Sequence, residues 1–159
     1  MNYEIKKLNA SDLELAKQLI YQWDTEDGIL YPDMPGNHYL LKLLSKETFH
    51  VFVAMENNTV VGGLTAYELP MFKVQEHEMF LYEIGVNINY RQKGIASKLI
   101  EELKKICLHR NIRTIFVGTS ADNEAAKQLY KSTGGEREMI PWFTYTLPEN
   151  SKHNQMLHE

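Results

Sequence analysis

Residues 79–119 constrain this chain more than any other part of it. Residues 79–86 form an apolar strand pattern, and residues 114–119 form a second one of the fully buried type. Between them Ile95, Leu99, Leu103, Ile106 and Cys107 share one face of a helix, while Lys98, Glu101, Glu102 and Lys105 face water. A strand, helix, strand unit of this length makes a parallel pair with a right-handed crossover. In such sheets a ligand binds beyond the carboxyl ends of the strands. At that place stands the turn Arg91, Gln92, Lys93, Gly94, Ile95, Ala96. It sets two cations and two small residues where a helix begins, so free backbone N–H groups and the positive end of the helix dipole converge on one spot. That is a site for a phosphorylated ligand, although the turn alone reads equally as a solvated loop with a helix cap.

The rest of the chain supplies a sheet around this unit. Residues 3–8 alternate as a first strand. Ser11 and Glu14 have the spacing of a capping box, followed by Leu13, Ala16, Leu19, Ile20 and Trp23 on one helical face. After an acidic, Gly- and Pro-containing loop at 24–36, residues 38–44 read as a short helix. Residues 51–55 and 59–69 flank a turn at Glu56, Asn57 and Asn58 as a hairpin. Residues 123–133 form a further helix stopped by Gly134 and Gly135, and residues 142–147 a last strand. The expected architecture is an α/β (α+β) fold: a mixed, mostly antiparallel sheet of six to seven strands, a central parallel pair and helices on both faces. With 159 residues the chain is read as one domain over 1–147, followed by a flexible tail over 148–159.

Composition removes several function classes. A net charge of −4 opposes broad nucleic-acid binding and leans toward cationic partners. No run approaches the ~18 apolar residues of a membrane span, and residues 1–4 do not begin a secretory leader. The one cysteine, Cys107, makes no internal disulfide and suits a reducing cytoplasm. Histidines at 38, 50, 77, 109, 153 and 158 have no metal-ligand spacing, so no metal is expected.

Two motifs in series carry a family resemblance. Arg91, Gln92, Lys93, Gly94, Ile95 and Ala96 match the pyrophosphate loop of the GNAT superfamily of acyl-CoA N-acyltransferases, and Asn123, Ala126, Leu129, Tyr130 and Gly134 match its second signature. Within that superfamily the chain most resembles the type I aminoglycoside 3-N-acetyltransferases, on residues 60–72 and 81–86. The resemblance implies acetyl-CoA as cosubstrate. Its pantetheine arm would lie along Ile84, Gly85 and Val86, its pyrophosphate on Arg91, Gln92, Lys93, Gly94, Ile95, Ala96 and Ser97, and Asn123 and Ala126 would touch the cofactor arm. Tyr130 would protonate the departing thiolate.

The reaction itself calls for a base. An ammonium of pKa ~10.4 costs about 4.6 kcal/mol to deprotonate at pH 7, so attack on a thioester needs a proton acceptor. Glu83, inside the apolar strand, is the candidate, acting directly or through water; its bland alternative is a structural acid paired with a cation. Asp24, Glu26 and Asp27, with Asp33, Glu68 and Tyr67, form a candidate pocket for a polycation, with Tyr31, Tyr39, Met71 and Phe72 as apolar walls; a solvated loop is the alternative. The chain departs from the aminoglycoside enzymes at Thr119, Ser120, Phe143 and Thr144, where they carry acids. The expected activity is transfer of acetyl to a primary amine of a small molecule, an aminoglycoside or polyamine. Acetylation of a protein or peptide, and a non-catalytic acyl-CoA sensor, remain open alternatives. A homodimer through Trp142, Phe143 and Tyr145 and a monomer are both compatible with the sequence.

Overall fold

A computed structural model describes residues 3–30 and 33–148. Tyr31, the tail beyond residue 148, His153 and His158, and the start of the region read for a leader lie outside the described residues.

The sheet has five strands in the order of the chain: β1 (Glu4–Lys7), β2 (Phe49–Glu56), β3 (Thr59–Pro70), β4 (His77–Val86) and β5 (Ile115–Phe116). The first four pair antiparallel. β5 runs parallel to β4, with Met79 opposite Ile115 and Phe80 opposite Phe116. The mixed, mostly antiparallel sheet is therefore as expected, but among the described residues the parallel pair lies at its edge and the strand number is five. The missing strand is 142–147. It keeps the apolar alternation of a strand, yet Trp142, Phe143 and Tyr145 are 77%, 79% and 88% exposed and no ladder forms among the described residues. Alternation specifies a pleated surface only where a partner strand takes up the backbone groups, and β5 is two residues long.

Asn57 and Asn58 both adopt left-handed φ, 50° and 63°, which makes the tight β2–β3 turn that matches sheet twist. Helices cover both faces. Val51, Val53 and Met55 point toward α1 (Leu13–Glu26) and α2 (Asn37–Leu44), where Ala16, Leu19 and Leu44 complete one core. Phe52 and Ala54 point the other way, into a core closed by Ile95, Leu99, Leu103 and Cys107 of α3 (Ile95–His109). Leu129 and Tyr130 of α4 (Glu124–Ser132) pack on the same side.

The capping box sits earlier than its spacing suggests, on the short 3-10 turn Ala10–Asp12 that leads into α1. Asp12 accepts from the Asn9 N–H at 3.0 Å and from Lys6 Nζ at 2.6 Å, and Asn9 accepts from Ser11 N–H at 2.8 Å. The box is Asn9 and Asp12, not Ser11 and Glu14, because a buried carboxylate in ionic contact with Lys6 outcompetes an exposed one.

At the other end of β3, Glu68 is nearly sealed from solvent. Arg110 donates to it from Nε at 2.6 Å and Nη2 at 3.1 Å, His77 Nδ1 lies at 2.5 Å, and His50 Nε2 at 3.5 Å. Burial pushes the Glu68 carboxyl up, but the hydrogen bonds from Arg110 and His77 outweigh it and hold the carboxyl below its usual range. Glu68 thus ties β2, β3, β4 and the end of α3 together; the acceptor-pocket reading of it is wrong, since its charge is already matched.

Candidate active site

The site is built around an irregularity in β4. Leu81 pairs with Ala66, but Thr65 pairs with Glu83, so Tyr82 is an extra residue and β4 bulges there. Strict alternation would turn Glu83 inward with Leu81. The bulge instead puts Tyr82 and Glu83 on the same face and sends Ile84 and Val86 into the α3 core. Glu83 is consequently exposed in a cleft, not buried in an apolar strand as its sequence neighbours imply. Thr65 Oγ1 donates to its Oε2 at 2.9 Å.

β4 runs six residues past its last pair with β5, so no strand pairs with the outer edge of 81–86 among the described residues. Gly85 must be glycine there: a Cβ would stand 2.6 Å from Trp23 Nε1, whose ring lies against the strand and donates to the Gly85 carbonyl at 3.4 Å. Beyond β4 the chain turns through Gln92 and Gly94, with φ of 59° and 78°, into α3. No side chain caps α3, which leaves the amides of Ile95, Ala96 and Ser97 without an intrahelical partner.

A cleft of about 1400 Å³ joins these parts. Its walls bring together Asp24, Glu26, Asp27 and Tyr67, then Glu83, Ile84, Gly85 and Val86, then Arg91, Gln92, Gly94, Ile95, Ala96 and Ser97, and finally Asn123, Ala126 and Tyr130. Of the apolar walls named from sequence, Tyr39 lines it, while Met71 and Phe72 are solvent-exposed outside it. Lys93 also turns away: its Nζ donates to the Asn89 carbonyl at 2.8 Å and stands 5.0 Å over the Tyr90 ring. Asn123 spends its Oδ1 capping α4 on the Ala126 N–H at 3.0 Å, which leaves only its amide N–H groups to donate.

Arg91 is not a free cation. Its Nε donates to the Val86 carbonyl at 2.9 Å and its Nη2 to Glu26 Oε2 at 3.1 Å. Burial raises the pKa of the Tyr130 phenol, so it holds its proton at neutral pH. Tyr67 is raised too, first by burial and then by Tyr39, Glu83 and Tyr82 around it. Phe49, Tyr67, Tyr82, Phe80 and Phe116 contact one another in series across the sheet, with centroid separations of 4.8 to 5.5 Å.

Sequence reasoning missed Thr65, Trp23 and Tyr82. A hydroxyl in the apolar run of β3 marked the first, and a glycine inside a strand, which signals a close approach, marked the second. Nothing local marks the bulge. Among the described residues no three His, Cys, Asp or Glu side chains converge to hold a metal, and no helix is long and apolar enough to cross a membrane.

The chain matches the model of the acetyltransferase (GNAT) family over residues 14–134. It is 29% identical over 109 residues to the L-2,4-diaminobutyric acid acetyltransferase of Marinococcus halophilus, covering 66% of this chain and 62% of that relative. Against the enzyme of that name from Halalkalibacterium halodurans it is 34% identical over 86 residues, 53% of this chain and 43% of the relative. The chain therefore spans about half the length of these curated relatives. Among solved structures it resembles the aminoglycoside acetyltransferase meta-AAC0020 from an uncultured soil metagenomic sample, with a TM-score of 0.86, 30% identity, and 92% and 97% of the two chains covered. That protein has also been solved with sisomicin.

Proposed function

The chain belongs to the GNAT family of acetyltransferases, and from that premise we propose that it transfers acetyl from acetyl-CoA to a primary amine of a small molecule. The observation that carries this reading is one cleft whose walls hold Glu83, the acids Asp24 and Asp27, and the stretch of β4 that runs past its pairing with β5.

The cosubstrate side fits the residues present. The outer edge of Ile84 to Val86, paired with no strand among the described residues, can take an amide-bearing arm as an added strand, with the Val86 carbonyl already held by Arg91 Nε. The amides at the start of α3 and the guanidinium of Arg91 suit a pyrophosphate, and Lys93 is left out of that set. Acetyl-CoA, when bound, supplies an acetyl group activated as a thioester.

Glu83 accepts a proton from the incoming ammonium, directly or through water, while the Thr65 hydroxyl fixes its carboxylate at Oε2. Tyr130, protonated because it is half-buried, donates from Oη to the leaving sulfur. The burial that makes the phenol a weaker acid also penalises a bare thiolate beside it, and the two effects offset.

The acceptor is an amine carrying further positive charge. Asp24 and Asp27 favour such a molecule, and relatives named for diaminobutyric acid and aminoglycosides handle amines of that kind. Aminoglycosides come first, through the overall likeness to meta-AAC0020 and the local likeness of residues 60–72 and 81–86 to the 3-N-acetyltransferases. The test is release of free thiol from acetyl-CoA against aminoglycosides, 2,4-diaminobutyrate, linear polyamines and peptides. Turnover with a cationic small amine is the expected outcome. Turnover with peptides alone overturns the acceptor assignment, and a rise in Tm with acetyl-CoA without thiol release from any amine identifies a sensor instead.

A further inference from the structure

Glu26, one of the three acids of the proposed acceptor pocket, is turned toward the turn before α3. Its Oε1 accepts the Ile88 N–H at 3.2 Å and its Oε2 accepts from Arg91 Nη2 at 3.1 Å. Arg91 in turn donates from Nε to the Val86 carbonyl at 2.9 Å. Three hydrogen bonds thus join the last residue of α1, the end of β4 and the turn before α3. That turn needs outside support. Gln92 stands in a left-handed conformation that costs a residue with a Cβ about 1 kcal/mol or more, and α3 has no side-chain cap to hold its first turn. Asp24 and Asp27, in contrast, make no salt bridge among the described residues.

We propose that Glu26 is a positioning residue for acetyl-CoA rather than an acceptor ligand: it clamps Arg91 and Ile88 so that the amides of residues 92–97 converge on one anion. The inference rests on the acetyl-CoA reading above. The charges agree with it. A lone carboxylate beside a pyrophosphate site would repel the ligand, but paired with Arg91 it is neutralised, and the guanidinium keeps most of its five N–H donors for the anion. The bridge also ties the end of α1 to the turn before α3.

The test is calorimetric binding of acetyl-CoA to the purified full chain and to Glu26→Ala and Glu26→Gln, followed by steady-state kinetics. Glu26→Ala is expected to weaken acetyl-CoA about tenfold, the scale of one charge-assisted hydrogen bond. Glu26→Gln, which keeps a carbonyl acceptor for Ile88, recovers part of that loss. In kinetics the KM for acetyl-CoA rises by a larger factor than the KM for the amine. Equal or tighter acetyl-CoA binding by Glu26→Ala overturns the proposal, and so does a rise confined to the KM of the amine, which returns Glu26 to the acceptor pocket. Wild-type protein that binds no acetyl-CoA overturns the functional reading and this one with it, whereas binding indifferent to residue 26 overturns this one alone.

Discussion

Thr65 Oγ1 and Glu83 Oε2 lie 2.9 Å apart across β3 and β4, and they meet only because Tyr82 is looped out of the ladder. The bond aims a carboxylate that has no other hydrogen-bonding side chain on it among the described residues. A positioned base contributes on the order of 10²- to 10⁴-fold to such a reaction. Glu83→Gln should therefore lower kcat by about 10²-fold or more on the true acceptor. Thr65→Val should lower it by about tenfold or less, because it loosens the base without removing it. Thiol-release kinetics on both variants decide; a Glu83→Gln enzyme with wild-type kcat removes Glu83 from the mechanism.

Tyr130→Phe removes one hydroxyl from a half-buried ring and leaves the packing on Leu129 and α3 in place. The expected result is a fall of about tenfold in kcat with a smaller change in the KM for acetyl-CoA. Since burial raises the phenol pKa above its ordinary value, the wild-type enzyme should lose no activity to phenol ionisation below pH ~10. A basic limb well below that pH, absent in Tyr130→Phe, would contradict the reading.

Gly85→Ala places a methyl 2.6 Å from Trp23 Nε1 and 3.0 Å from Trp23 Cδ1. The indole must move off the strand, which forfeits its hydrogen bond to the Gly85 carbonyl and overpacks the site. Destabilisation of about 1–3 kcal/mol is expected in chemical denaturation. Trp23 fluorescence should shift with it, since the ring leaves its seat.

The Glu68 cluster should control stability rather than catalysis. Arg110→Ala leaves a buried carboxylate without its main partner and should cost about 3 kcal/mol or more. The pH dependence follows from two depressed groups. His50 is lowered by burial, so the unfolded chain binds its proton first and stability is lost as pH falls below ~6.5. Glu68 is lowered as well, so its contribution is present above its ordinary pKa and disappears as pH falls further. His50 Nδ1 has no hydrogen-bond partner among the described residues, and Nε2 has only the 3.5 Å contact with Glu68. His50→Leu should accordingly shrink the drop in Tm between pH 7 and pH 5, and melting curves at the two values check it.

Much of this protein is legible in its amino acids. The period of Ile95, Leu99, Leu103 and Cys107 specifies α3, and Asn57 and Asn58 specify the hairpin turn. The glycine at 94 marks the left-handed turn into α3. Each of these is local, because helix periodicity, turn chemistry and a free helix N-terminus depend on residues a few positions apart. The family motifs are local for the same reason. What each charge does is not local. Glu26 and Glu68 look alike as acids near an apolar segment, but one finds Arg91 65 positions away and the other Arg110 42 positions away. Glu83 reads as buried until a one-residue bulge, set by pairing with β3, turns it into the cleft. Residues 142–147 have a strand's alternation and no partner among the described residues to complete it. The sequence by itself determined most of the elements and the turn into α3, through interactions within a few residues. Tertiary structure alone decided which carboxylates are matched and which are free to act, because a charge is defined by the partners that distant segments bring to it.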